Sequence, residues 1–174
     1  MTMRAIMLMM MLVAALVASA DERPFVTLEK LRAVTAGETQ AEKVSHLEAH
    51  GMEGASSSAV LEKMETMKVE LDQTVLDWHA ALCAKQAYWE SVDYETLAQE
   101  VERFEAAYDA VIAENVEELR TALSEADASR LDRVLAHGPK VTIIHPTAVE
   151  SIRAGHVDIN RYIGMRCQPE NWKE

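Results

Sequence analysis

The sequence predicts an all-α protein, a helical bundle built on a long antiparallel helical hairpin with short flanking helices. Three observations predict it. Apolar side chains recur every three or four residues through two long stretches, about 60–89 and 94–123. The polar link between them, residues 90–93, is too short for anything but an antiparallel return. The β-branched run at 141–144 has no partner strand, and four residues alone cannot make a sheet.

The chain opens with a charged start ending at Arg4, an apolar run over 5–17, and Ala18-Ser19-Ala20 before the charge at Asp21. That order describes a secretory signal peptide cleaved after residue 20. The apolar run falls short of the roughly 20 residues that cross a bilayer, so stable membrane insertion after cleavage is not expected. Residues 21–174 then form one domain, periplasmic or secreted.

Within that domain, Thr27 can cap a short helix carrying Leu28, Leu31 and Val34, with Gly37 placed for a left-handed stop. A second short helix follows, opened by the Thr39-x-x-Glu42 capping box and closed at Gly51. Gly54 and the serines at 56–58 read as a polar break before the hairpin, one serine acting as N-cap.

The first hairpin arm aligns Val60, Met64, Met67, Leu71, Val75, Trp78, Leu82 and Trp89 in one stripe. The second aligns Tyr94, Leu97, Val101, Phe104, Tyr108, Val111, Ile112, Leu119 and Leu123, with Ser91 or Asp93 available to cap it. Asn115 falls in the centre of that second stripe, where a buried amide fixes register at a cost in stability. Ser124 can cap the next helix, which carries Leu131, Val134 and Leu135 and stops at Gly138-Pro139. The 141–144 run is expected as coil along the bundle. Pro146 starts a turn burying Val149 and Ile152, and Asp158 caps a last helix with Ile159, Tyr162 and Ile163.

The chain carries 17 basic and 29 acidic residues, a formal net charge of −12, and losing the leader removes one basic residue, Arg4. Such a surface repels nucleic acid and anionic lipid. It leaves protein partners and metal ions as the classes it favours. Six of the ten methionines lie in the leader and carry no metal signal. Cys83 and Cys167 are an even count in an exported chain and predict a disulfide tying the C-terminal tail to the hairpin.

Glu42, His46 and His50 are spaced by four on the second short helix, so they stand above one another on a face. Two imidazoles so placed, with a carboxylate, can hold a divalent transition metal. Glu38, Glu53 or Met52 could complete the set, and a solvated face is the plainer reading. Met64 and Met67 have the spacing of a thioether pair for copper, but they belong to the apolar stripe. His79 and Cys83 make a zinc or redox pair only if the cysteine is free. His137, His145 and His156 have no spacing that brings them together. No nucleophile elbow, phosphate-cradling glycine loop, H-E-x-x-H or C-x-x-C occurs, so no enzyme activity and no cofactor is expected.

The run Leu123-Ser124-Glu125-Ala126-Asp127 resembles the L-T-x-x-Q pattern of small periplasmic helical-hairpin stress proteins, which act as chaperones or metal-responsive sensors. The leucine matches, Ser stands for Thr, and Asp stands for Gln. The leading expectation is a non-enzymatic exported module that binds a protein partner or client through apolar grooves with an acidic rim. A metal-binding module using Glu42, His46 and His50 comes second, and an uncharacterised hydrolase third.

Overall fold

The computed structural model describes residues 24–84, 93–137 and 148–167, the side chains of Met165 and Arg166 excepted. The leader, Trp89 and Ser91, the 138–139 stop, His145, Pro146, the 141–144 run and Trp172 lie outside the described residues. Within them the chain is an all-α bundle of seven helices. These are α1 (Pro24–Val34), α2 (Gln40–Ala49), α3 (Ala55–Ala84), α4 (Tyr94–Ala122), α5 (Glu125–His137), α6 (Ala148–Arg153) and α7 (Ile159–Arg166).

α1 begins earlier than its sequence cap suggests. Pro24 takes the first helical position, where its missing N–H costs nothing, and Thr27 lies inside the helix. Leu28, Leu31 and Val34 are buried as the spacing requires, and Lys30 beside them donates its ammonium to the Leu135 carbonyl of α5. At the turn into α2, Gly37 permits a close approach. A Cβ there would sit 2.9 Å from the Glu42 Cβ.

α2 carries both of its expected ends. Thr39 accepts from the Glu42 N–H at 3.2 Å, and the Glu42 carboxylate reaches back to the Thr39 N–H at 3.2 Å. At the other end Gly51 N–H bonds Glu48 O and Met52 N–H bonds Leu47 O, with Gly51 at φ +80°. This is the six-to-one and five-to-two pairing of a Schellman stop. Leu47 and Met52, the pair whose side chains flank such a stop, are both fully buried in the same core cluster.

α3 starts at Ala55, so the serines expected as a polar break form its first turn. The reason is local hydrogen bonding. Ser57 Oγ donates to Met52 O at 2.6 Å and is buried, and Ser58 Oγ donates to Gly54 O. Each hydroxyl thereby satisfies a carbonyl just before the helix.

α3 and α4 pack along one another, with Lys63 against Glu118, Glu70 against Asn115, and Trp78 against Phe104. Rising numbers on one helix meet falling numbers on the other, so the two run antiparallel. Asp93 caps α4, accepting from the Thr96 N–H at 2.8 Å. Tyr94, counted into the apolar stripe, is instead 40% exposed at the helix start. Asn115 is buried, and its amide donates to Glu70 Oε2 at 2.6 Å and to the Val111 carbonyl at 2.9 Å.

The core is divided along the length of this helix pair. One cluster joins α1, α2 and α5 to the first half of α3 and the second half of α4, through Leu31, Leu47, Val60, Ile112, Leu119 and Leu131. The other joins α6 and α7 to the opposite end, through Leu82, Leu97, Val101, Ile152 and Ile163. A ring series connects them. Trp78 stacks on Phe104 with centroids 4.5 Å apart, and Phe104 meets Tyr108 at 5.8 Å. Cys83 and Cys167 form the expected disulfide, with Cα atoms 5.4 Å apart, and it fastens the end of α7 to the last turn of α3.

Candidate binding cleft

α1 and α2 lean against the first half of α3 and leave a cleft of about 470 Å³ between them. Its floor is apolar. Leu61, Met64 and Leu71 of α3 and Leu28 of α1 supply it, at spacings of three and seven along α3 that keep them on one side. The rim carries both signs of charge: Arg32, Lys43 and Lys68 against Glu62, Glu65 and Asp72. The acidic rim expected of such a groove is therefore a mixed one.

These cations differ in freedom. Arg32 is held by Glu29 at 2.6 Å, whereas Lys43 stands 3.9 Å from an exposed Glu65, a pairing worth little in water. Lys68 has no ion pair among the described residues. The cleft thus offers an apolar bed, a loosely held ammonium and a free one. Such an arrangement can accept an amphipathic chain segment, with apolar groups down and acidic groups on the rim.

The residues singled out from sequence go elsewhere. Glu42 is committed to the start of α2: its Oε2 accepts from the Glu38 N–H at 2.8 Å as well as from Thr39. The Thr39 N–H above all, then that of Glu38, holds its carboxyl below the usual carboxylate range. Among the described residues no three His, Cys, Asp or Glu side chains converge where an ion would be held. His46 stays exposed on the helix face, and Met52, offered as a further ligand, is in the core. Met67 is also core, and Met64 belongs to the cleft floor. His79 lies against Trp78 with ring centroids 5.1 Å apart, and Cys83 is bonded to Cys167.

His50 instead joins residues from a different helix. As the C-cap of α2 it lines a second cavity of about 360 Å³ with Gly51 and with Arg130, Arg133, Val134 and His137 of α5. No spacing rule could have found this grouping, because α2 and α5 are far apart in sequence. The only signal available was the placement of three basic or imidazole side chains at 130, 133 and 137 on one helix face.

Arg130 is anchored by a small network. Asp127 Oδ1 accepts from Arg130 at 2.5 Å, and its Oδ2 accepts from Ser56 at 2.7 Å and Ser124 at 2.8 Å. The Ser56 hydroxyl first, then Ser124 and Arg130, hold the Asp127 carboxyl below its ordinary value. The five-residue likeness at 123–127 thus resolves into helix capping, with Ser124 Oγ also accepting from the Asp127 N–H. Compared with known proteins, the chain matches no family model, no curated protein and no solved structure.

Proposed function

We propose that this protein is an exported, non-enzymatic binding module that takes an amphipathic segment of a client protein into the cleft between α1, α2 and α3. The cleft itself carries the reading: an apolar floor of Leu28, Leu61, Met64 and Leu71 under a rim that includes Lys68, which has no ion pair among the described residues. The charge pattern suits a segment with apolar and acidic groups. In a chain of net charge −12, Lys43 and Lys68 give such a segment cationic points to meet on the rim.

Export is supported by the leader pattern at 1–20 and by the Cys83–Cys167 bond, since disulfides persist in oxidising compartments. No described helix is long and apolar enough to cross a membrane. Among the described residues, Glu42, Asp93, Glu95 and Asp127 titrate below their ordinary values because capping bonds or ion pairs favour their carboxylates.

Light scattering from a heated or reduced model client tests the reading. The protein is expected to suppress client aggregation at about stoichiometric ratio, and Met64→Glu and Lys68→Glu should each weaken it severalfold while leaving the helical signal intact. No suppression in large excess, or equal suppression by both variants, would overturn the cleft as the binding surface. N-terminal sequencing of exported material should begin at Asp21.

A further inference from the structure

The second cavity has a charge character opposite to the chain that holds it. Among all residues, acidic side chains outnumber basic ones by 29 to 17, yet this lining contains no carboxylate. It presents instead two guanidinium groups, Arg130 and Arg133, and two imidazoles, His50 and His137, around a space of about 360 Å³.

The local geometry keeps these groups available. Arg130 is gripped through Nη1 by Asp127, whose other oxygen is taken by Ser56 and Ser124. That grip fixes the guanidinium, and its other N–H groups have no hydrogen-bond partner among the described residues. Arg133 has no carboxylate partner among the described residues and bonds the Ser129 carbonyl through Nε at 3.3 Å. A helix C-terminus ordinarily repels anions. At α2 that repulsion is reduced, because the Leu47 and Glu48 carbonyls are engaged by the N–H groups of His50, Gly51 and Met52.

We propose that this cavity binds a phosphate or phosphomonoester group of a small soluble molecule. A planar carboxylate is satisfied by the fork of one arginine, whereas a tetrahedral phosphate presents several acceptor oxygens and can be approached from two helices at once. Arg130 and Arg133 supply the charge, His137 extends the same face of α5, His50 is contributed by α2, and Val134 gives an apolar wall for the carbon part of the ligand. A soluble source is favoured over a lipid headgroup, since the acidic remainder of the surface is repelled by an anionic bilayer. This site lies apart from the cleft, and the two readings stand or fall separately.

Calorimetric titration of the purified protein with inorganic phosphate and with pyrophosphate, at constant ionic strength, tests it. Saturable binding tighter than about 1 mM is expected for pyrophosphate. The double variant Arg133→Gln, His137→Gln should weaken it roughly tenfold or more. Lys68→Gln, which removes a like charge at the cleft, should leave it unchanged. Circular dichroism shows that each variant keeps its helices; should the double variant unfold, Arg133→Gln alone is read in its place. The proposal is overturned by absence of saturation, by equal weakening in the Lys68 variant, or by indifference to the double variant. Binding to vesicles of phosphatidylglycerol with no binding of either soluble anion would overturn it as well.

Discussion

Asp127 does more than its position in a helix-capping sequence requires. It accepts from Ser56 on α3, from Ser124 before α5 and from Arg130 on α5, and so joins the start of one helix to the start of another. All three bonds favour the carboxylate over the acid. With the folded-state pKa below the unfolded one, the linked stability is present above the ordinary aspartate range and disappears as pH falls through the folded value. Asp93 and Glu95 act in the same direction, Asp93 through the Thr96 N–H and Glu95 chiefly through Arg153. Thermal midpoints should therefore fall steeply below about pH 4. In Asp127→Asn the midpoint at neutral pH should be lower and the acid fall shallower. A parallel acid profile in wild type and variant would show that Asp127 carries none of the pH dependence. His50 shows what spacing within one helix leaves out: as the C-cap of α2 it lines a cavity with residues of α5, a grouping that its distance of four from His46 does not state.

At the level of elements, the helices were legible where one strip of sequence holds all the information. The Thr39 box, the Asp93 and Asp158 caps and the buried positions of α5 needed only periodicity and capping chemistry. Boundaries slipped at Pro24, which opens α1 without an N–H to satisfy, and at the serines of α3, where a bond to the preceding turn draws them into the helix. The cleft was not legible at all, because its walls come from three helices whose packing no local pattern states. α2 illustrates how much such a small element depends on its ends. With ten residues it is too short to be stable alone, so its stop is a large share of what orders it. Gly51 sits at φ +80°, and a Cβ there would meet Arg130 only at 3.7 Å, an ordinary contact. The penalty for Gly51→Ala is therefore conformational rather than steric, about 1 kcal/mol. Urea unfolding should show a lower midpoint with an unchanged slope. A change in slope would mean that the substitution disturbs more than the turn.

Over the whole molecule, two cores share one pair of long helices, and the parts attached to them are not equally secure. The first core holds α1, α2 and α5, cross-linked by the Lys30 bond to Leu135 and by the Asp127 network. The second holds α6 and α7, helices of six and eight residues, which have almost no stability of their own. α6 is fastened to α4 by packing and by Arg153, which bonds Glu95 and Glu102 at 2.8 to 3.0 Å. α7 depends on the covalent link. Cys83 and Cys167 are 84 residues apart, and closing such a loop contributes roughly 4.5 kcal/mol in the chain-entropy account. Cys83→Ser with Cys167→Ser should accordingly act unevenly. Amide exchange should speed up first and most in α7, next in α6 and the adjoining ends of α3 and α4, and least in α1, α2 and α5. Because the cleft and the cationic cavity both lie on the first core, their ligands should bind the unbridged protein with little change below its lowered melting range. Uniform loss of protection through all seven helices would instead show that the ring series Trp78, Phe104 and Tyr108 makes the two cores one cooperative unit, and that the bond secures the whole bundle rather than one end.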